Sequence, residues 1–307
     1  MKIKFIGIRE DRTETELPAP EKARYDAAED APADGFSGVF PLDEDCGTLI
    51  GLKILGDGDM LFYGTVDIQR EIVSGSGSRL ELTCRSLAGL LLDSAAVPVL
   101  YENLCLKDIF ARHIQPYGFT DFRGETALYG GPFRVIPGMS EWQAAALFCR
   151  RFLRVTPRVN GTVFDASGGA VPDGPAFGAG GTKYFCAEVR NRCCDRVTQI
   201  DTPDAQTGIY RIAAWENALP LRVRCLTKAG ADAEAVMAQA RRSAFAVLVE
   251  CPGAPAAEIG AKTSLSDPLL GNYENMKVAD IRCELDSGGL RTRYCLRRDE
   301  PCGFQTR

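Results

Sequence analysis

Two strand-turn-strand segments, set far apart along the chain, constrain what this sequence can fold into more than any other feature. The first, Leu61 to Arg85, reads LFYGTVDIQREIVSGSGSRLELTCR and turns through SGSGS at Ser74 to Ser78. The second, Asn275 to Arg297, reads NMKVADIRCELDSGGLRTRYCLR and turns through Asp286 to Gly289. Apolar and polar residues alternate in both. Val66, Ile68 and Ile72 are set against Leu80, Leu82 and Cys84 in the first; Ile281, Cys283 and Leu285 are set against Leu290, Thr292, Tyr294 and Leu296 in the second. A period of two lays one face of a hairpin on a core and leaves the other in water. Two such units predict two related antiparallel β domains, an architecture that serves binding, lining or assembly more often than catalysis.

At 307 residues the chain has room for two or three domains of about 100–200 residues each. With 45% hydrophobic and 25% charged residues, wholesale disorder is excluded. The net charge of −5 is concentrated at the front: residues 1–100 hold 18 acidic against 10 basic side chains, whereas residues 101–200 hold 9 against 12. An acidic front half argues against a nucleic-acid grip, which rests on clustered positive charge. No apolar run reaches the roughly 18 residues of a membrane-spanning helix. The start, MKIKFIGIRE, meets charge and glycine too early for a signal peptide, so synthesis in the cytoplasm and mostly reduced cysteines are expected.

Along the chain, Lys2 to Ile8 reads as an opening strand, and Glu10 to Gly35, rich in Asp, Glu, Ala and Pro, as an exposed arm. Strand signals are dense from Thr48: LIGLKIL, the Gly56–Asp59 turn, then the first hairpin, closed by a helical turn at Ser86 to Leu92. The period then changes. Leu104 to Ile114 has helical spacing and is stopped at Pro116–Tyr117–Gly118. Ser140-Glu141-Trp142-Gln143 is a capping box opening a second helix, whose inward face is Trp142, Ala145, Ala146, Cys149 and Phe152. Asn160–Gly161 then marks a tight hairpin.

The expected organisation is therefore mainly β with an α+β insert: a β-barrel-like domain over 1–97, a small α+β module over 98–166, a Gly/Pro-rich linker over 167–183, and a second β domain over 184–307. Within the last, strands are expected at Tyr184–Val189, Gly208–Ala213 and Leu221–Leu226, a helix at Ala231–Arg242, and a strand at Phe245–Cys251.

Motifs for chemistry are weak. A Ser-His-Asp triad needs a base, yet His113 is the only histidine and no G-x-S-x-G elbow exists. His113 falls in the last turn of its helix, where an imidazolium suits the negative dipole end by about 0.3–1 kcal/mol. GAGGTK at Gly178–Lys183 lacks the order of a phosphate loop, since Thr182 precedes Lys183. Cys186, Cys193 and Cys194 have no C-x-x-C spacing for zinc, and cysteine is expected to act mainly as a small buried hydrophobe. Asp43, Glu44, Asp45, Asp57 and Asp59 read as solvated turns rather than a calcium loop. Arg150, Arg151, Arg154 and Arg158 suit a helix C-terminus. No catalytic, cofactor-binding or metal-binding residue is assigned.

The order of segments carries more than any single residue. LFYGTVD–turn–RLELTCRSLAGLLLD is followed by YENLCLKDIFARHIQPYG, then GMSEWQAAALFCRRFLRVTPRVNGTVFDASGG, and near the end VECPGAPAAEIGAKTSL with YENMKVADIRCELDSGGLRTRYCLRR. Over roughly residues 45–300 this layout resembles the late control protein D family: baseplate hub proteins of contractile phage tails, as in Mu-like phages, contractile bacteriocins and injection systems. The acidic arm at 10–35 and the cysteine richness depart from it.

The resemblance implies two tube-like antiparallel β-barrel domains joined through small α+β modules. Three chains would make a ring of six barrels, adapting the sixfold tail tube above to the threefold central spike below. It implies a homotrimer in a virion or tail-like particle, in contact with tail tube, spike and inner baseplate proteins. DNA or a tape-measure protein would pass through the lumen without specific binding. It also leaves part of 184–228 open to completing the first barrel rather than the second. An acidic lumen would keep a polyanion from sticking, so the polar face of the first hairpin, Thr65, Asp67, Gln69 and Glu71, is the expected lumen or subunit-interface face, with Val66, Ile68 and Ile72 packing inward. The competing readings are a tail-associated cell-wall hydrolase, which would need a carboxylate pair across a cleft, and a cysteine-metal protein.

Overall fold

The computed structural model describes residues 3–75, 77–169, 173–218 and 220–298. Strand outweighs helix 51% to 15%, so the mainly β fold expected from the alternation is the one observed. The chain forms two compact units: one from the described residues of Met1–Ala170 with Arg282–Leu290, the other from those of Val171–Ile281 with Arg291–Arg307.

The first unit opens with seven strands: β1 (Ile3–Arg9), β2 (Glu14–Leu17), β3 (Lys22–Ala28), β4 (Gly35–Pro41), β5 (Leu49–Gly56), β6 (Asp59–Ser74) and β7 (Gly77–Ser86). They lie in the order β3-β4-β7-β6-β5-β1-β2. Alternate residues such as Phe5, Phe36, Phe40, Leu52, Phe62, Leu80 and Leu82 share one core. Three strands separate β1 from β4, which on a flat sheet would hold them roughly 19 Å apart. Yet the Phe5 ring lies 6.0 Å from Phe36 and 5.4 Å from Phe40. The sheet therefore curls around its aromatic core, as a tube-like domain requires. The β5–β6 turn holds Asp57 at φ 51° and Gly58 at φ 101° between the paired Gly56 and Asp59, the left-handed pair that matches strand twist. Of the β6–β7 turn, Ser76 lies outside the described residues.

The exposed arm expected over Glu10–Gly35 is corrected. Its apolar residues are sparse but placed at strand phase. Leu17 is buried opposite Phe5 on β1, and Tyr25 pairs with Phe36 on β4. Two acids of β2 accept from lysines of the same sheet, Glu14 from Lys53 on β5 at 2.5 Å and Glu16 from Lys4 on β1 at 3.2 Å. A one-sided edge strand has the composition of a solvated arm, and pairing decides between them.

The α+β module follows: α1 (Ala88–Asp93), β8 (Val99–Tyr101), α2 (Leu106–Ile109), β9 (Asp121–Gly124), β10 (Phe133–Val135), α3 (Glu141–Phe148), β11 (Arg158–Asn160) and β12 (Val163–Ala166). Both α2 and α3 run on into a wide π turn, over Phe110–Ile114 and Cys149–Leu153. The capping box is present as read: Ser140 Oγ accepts from the Gln143 amide at 3.2 Å, and Gln143 Oε1 accepts from the Ser140 amide at 2.9 Å. Trp142, Ala145, Ala146 and Cys149 are buried and Phe152 packs at the edge of the same core. Asn160 pairs with Val163, so Gly161 (φ 56°) and Thr162 form the hairpin turn, one residue later than Asn160–Gly161 suggests. This module and the curled sheet fall in one compact unit, which the sequence divides at residue 97. The tip of the second hairpin belongs to this unit too, and Arg282 Nε donates to Asp26 Oδ1 at 2.8 Å.

The second unit holds β13 (Asp173–Gly178), β14 (Cys186–Asn191), β15 (Gln199–Pro203), β16 (Tyr210–Trp215), β17 (Val223–Cys225), α4 (Ala233–Ala244), β18 (Phe245–Pro252), β19 (Lys262–Asp267), β20 (Gly271–Asp286) and β21 (Gly289–Arg298). The run β14-β18-β21-β20-β19-β13 surrounds a core of Phe177, Val247, Val249, Met276, Val278, Tyr294 and Leu296. The Phe177 and Tyr294 rings sit 5.3 Å apart although β19 and β20 separate their strands, so this sheet also curls. The linker expected over 167–183 is corrected in part: residues 170–172 lie outside the described residues, but β13 pairs with β19 and buries Phe177. Strands of 184–228 have their partners in this unit: β14 pairs with β18, and β15, β16 and β17 form a sheet of their own backed by α4.

A Cβ at Gly64 would lie 2.1 Å from the Arg85 carbonyl oxygen on β7, closer than any carbon can approach. Gly64→Ala should therefore cost about 1–3 kcal/mol and lower the melting temperature by several degrees. Gly75→Ala, where nothing lies within 4 Å, is the control expected to melt as the parent does.

Candidate assembly interface

The first hairpin does not keep one phase along its length. Val66 pairs with Cys84, but the next pair is Ile68 with Thr83, leaving Asp67 without an opposite residue. This is a β-bulge, and the extra residue sends every later side chain to the other face. Gln69 thus stands opposite Leu82 and Glu71 opposite Leu80, on the core side, while Ile68 and Ile72 join Thr83 and Arg79 on the outside. The expected inward set is corrected: Val66 packs on the core, but Ile68 is 53% exposed. The four residues singled out as one polar face are likewise split. Thr65 and Asp67 stay with the outer row of Arg85, whereas Gln69 and Glu71 are turned away from it.

Gln69, Glu71 and Asp67 each bond inside the unit. Gln69 Oε1 accepts from the Leu49 amide at 2.8 Å, while its Nε2 donates to Gly47 O at 2.8 Å and Glu71 Oε1 at 2.9 Å, pinning the turn that leads into β5. Asp67 accepts twice from Arg85, at 2.5 and 3.2 Å, and Arg85 also grips Asp93 at the end of α1, at 2.6 and 3.2 Å. Bonds to Asp93 and Asp67 raise the Arg85 pKa, and the Arg85 bond holds the Asp93 carboxyl below its usual range. The remaining outer pairs, Arg70–Glu81 and Arg79–Glu81, are solvent-exposed contacts worth about 0–1 kcal/mol each. The outer face is a lattice of mixed charge interrupted by Ile68.

His113 is structural, but not through the helix dipole. The π turn carries it into the core, where it is 1% exposed. Its Nδ1 lies 2.5 Å from Glu141 Oε2 and its Nε2 lies 2.8 Å from the Tyr101 hydroxyl. A carboxylate can only accept, so Nδ1 carries the proton. Tyr117 donates to the other Glu141 oxygen at 3.3 Å. Burial raises the Tyr101 pKa, which keeps the phenol protonated. The cluster joins β8, the α2 extension and the first turn of α3. A base this deeply sealed is out of reach of a substrate.

Other singled-out residues are distributed as follows. The GAGGTK segment closes on itself: the Gly178 amide donates to Thr182 O at 3.1 Å and the Thr182 amide to Ala176 O at 2.8 Å, so these donors are already used. Asp45 Oδ1 accepts from the Gly47 amide at 2.8 Å, Asp57 and Asp59 flank the β5–β6 turn, and Asp43 and Glu44 are exposed. Of the arginine cluster, Arg151 covers the Phe152 ring at 5.0 Å and Arg154 (φ 60°) ends its helix, while burial, opposed by Asp34, lowers the Arg158 pKa. Among the described residues, no group of three or more His, Cys, Asp or Glu is placed to hold a metal ion, and no helix is long and apolar enough to cross a membrane. Cysteine divides: Cys46, Cys84, Cys149 and Cys251 are buried, but Cys186, Cys193, Cys194 and Cys225 are exposed. Burial pushes the Cys84 and Cys149 thiols up to about 12 and Cys251 to about 11.

No protein-family model and no curated protein matches the sequence. Solved structures do match over nearly the whole chain. A tail protein from Neisseria meningitidis superposes with a TM-score of 0.73 at 17% identity, covering 97% of each chain. The 43 kDa tail protein of prophage MuSo2 from Shewanella oneidensis gives 0.76 at 12% identity, covering 97% of this chain and 98% of that one. An Escherichia coli type VI secretion component, described as similar to the bacteriophage T4 tail proteins gp27 and gp5, gives 0.59 at 8% identity, covering 100% and 80%. The fold is thus one that phage tail proteins and a secretion-system component share.

Breaking the buried hydrogen bond leaves its other partner unsatisfied in the core. His113→Ala or Glu141→Ala should each lose about 1–3 kcal/mol in urea unfolding, whereas the double replacement His113→Leu with Glu141→Leu should lose less than the two single losses combined. A His113→Ala variant as stable as the parent would show that the cluster holds nothing together. For the cysteines, iodoacetamide at pH 8 followed by peptide mass spectrometry should modify Cys186, Cys193, Cys194 and Cys225 while sparing Cys84, Cys149 and Cys251, whose thiolates are scarce at that pH.

Proposed function

We propose that this chain is a structural baseplate protein of a contractile phage tail or phage-tail-like particle, acting by assembly rather than by chemistry. It serves as the hub, in the manner of the late control protein D family, and three copies form a ring that adapts a sixfold tail tube to a threefold central spike. The supporting observation is the pairing of two curled β units in one chain with whole-length likeness to two phage tail proteins. Two similar units per chain turn threefold symmetry into six similar positions.

On this reading the partners are two further copies, a tail tube protein, a spike protein and inner baseplate proteins, and the site of action is the baseplate, after synthesis in the bacterial cytoplasm. The lining role proposed for the first hairpin belongs to the face that the bulge leaves outward. Thr65 and Asp67 remain on it, facing the lumen or a neighbouring subunit, and Gln69 and Glu71 leave the proposal because the core side claims them. DNA or a tape-measure protein would pass without specific binding, since the acidic front half repels a polyanion.

The native mass of the purified chain should be that of a trimer at high protein concentration or when mixed with its spike, and negative-stain views should show a ring with a central opening. A strictly monomeric mass, alone and in the particle, rejects the ring.

A further inference from the structure

A free sheet edge is a row of unpaired amides and carbonyls that can take a further strand, and this chain treats its edges unequally. Among the described residues, β2, β13 and β14 are the edge strands of the two curled sheets. β2 has four residues and runs into Pro18 and Pro20, which have no amide to offer. β13 carries Pro175, and the GAGGTK segment lies along it: the Thr182 amide donates to Ala176 O at 2.8 Å and the Gly178 amide to Thr182 O at 3.1 Å. β14, Cys186–Asn191, has no proline, no register shift and, among the described residues, no strand partner besides β18.

Which groups β14 leaves open follows from its register with β18. The Arg192 amide donates to Ala244 O at 2.7 Å, one step beyond the Asn191–Phe245 pair. Hydrogen-bonded pairs alternate along an antiparallel ladder, so Glu188 and Arg190 also direct their main-chain groups at β18, while Ala187, Val189 and Asn191 direct theirs outward. The side chains alternate as well. Ala187 and Val189 pack against the core of the unit. Glu188 and Arg190 stand on the solvent face, where Arg190 donates to Glu188 at 2.9 and 3.2 Å.

This strand is its own complement. Laid antiparallel against a second copy with Val189 opposite Val189, it sets Ala187 opposite Asn191 and uses the outward amides and carbonyls of all of them. The same register sets Glu188 opposite Arg190 at the close, non-hydrogen-bonded position, and symmetry repeats the pair. Sliding by two residues puts Glu188 opposite Glu188 in one direction and Arg190 opposite Arg190 in the other. Sliding by one sets outward main-chain groups against groups already bonded to β18. Charge and hydrogen bonding select the same register. We infer that β14 pairs with β14 of a second copy of this chain, joining two second units into one sheet across a twofold axis. Such a contact uses the same patch on both copies. It cannot lie within a threefold ring, so it belongs to the chain before the ring assembles, where it closes an edge otherwise open to indiscriminate strand addition. The inference goes beyond the ring reading and does not rest on it.

The test is sedimentation of the full chain without spike protein, together with hydrogen exchange read by mass spectrometry over residues 184–193. The parent should be a dimer, and exchange in that peptide should slow as the concentration rises through dimer formation. Glu188→Arg sets like charges against each other at both symmetric positions and should weaken the dimer about tenfold, as should Arg190→Glu. Glu188→Arg combined with Arg190→Glu should restore it. Val189→Pro removes an outward amide and should give monomers, and the charge exchange decides the matter if that variant melts early. A dimer that neither single charge variant weakens, or one without protection over 184–193, overturns the pairing. A parent that is monomeric or trimeric without spike protein also overturns it and leaves the ring reading standing. A chain that dimerises as described but never forms a ring with its spike overturns the ring reading alone.

Discussion

One residue dropped from a ladder sets the character of the first unit. β6 is sixteen residues long, and without a break it would present a single apolar side from end to end. The bulge at Asp67 divides it. Before it, Phe62 and Val66 feed the aromatic core; after it, the core side carries Gln69 and Glu71, and isoleucine appears outside. Holding the bulged residue falls to Arg85, which bonds Asp67 and Asp93 together and so fixes the hairpin to the first helix of the α+β module. A planar guanidinium can satisfy two carboxylates at once in a way an ammonium cannot.

Curvature does the rest of the positioning. Phe5 reaches Phe36 and Phe40 across three intervening strands, and Phe177 reaches Tyr294 across two. Large rings fill the interior of each curled sheet, and glycine provides for close approach where backbone meets backbone, as at Gly64 against Arg85. The α+β module has a polar clamp at its centre instead. His113, Glu141, Tyr101 and Tyr117 tie three elements through hydrogen bonds whose geometry is directional. Burying polar groups costs desolvation energy that their hydrogen bonds only offset, so such a cluster contributes specificity of arrangement more than stability.

Likeness to tail proteins at 12% and 17% identity with nearly complete coverage follows from the same physics. What the fold demands is a period of two along the strands, turns that accept left-handed residues, and bulky residues at inward positions. Many sequences satisfy those demands, so the layout persists where individual residues do not.

The sequence by itself determined what depends on neighbours along the chain. The presence of both hairpins, the Ser140 capping box, the Gly56–Asp59 turn and the helical turns within Leu104–Ile114 rest on contacts within a few residues, and the structure has each of them. Tertiary structure decided whatever depends on a partner distant in sequence. Glu10–Gly35 has the composition of a solvated arm, but it pairs with β1 and β4. Asp173–Gly178 has that of a linker, but it pairs with β19. His113 looks like a helix-end residue until Glu141 is brought to it. The bulge is the sharpest case. Nothing in VDIQREI marks Asp67 as the residue to be skipped, because the choice depends on Leu80, Leu82 and Cys84 arriving in register from the next strand, and one skipped residue reverses which face every later side chain occupies.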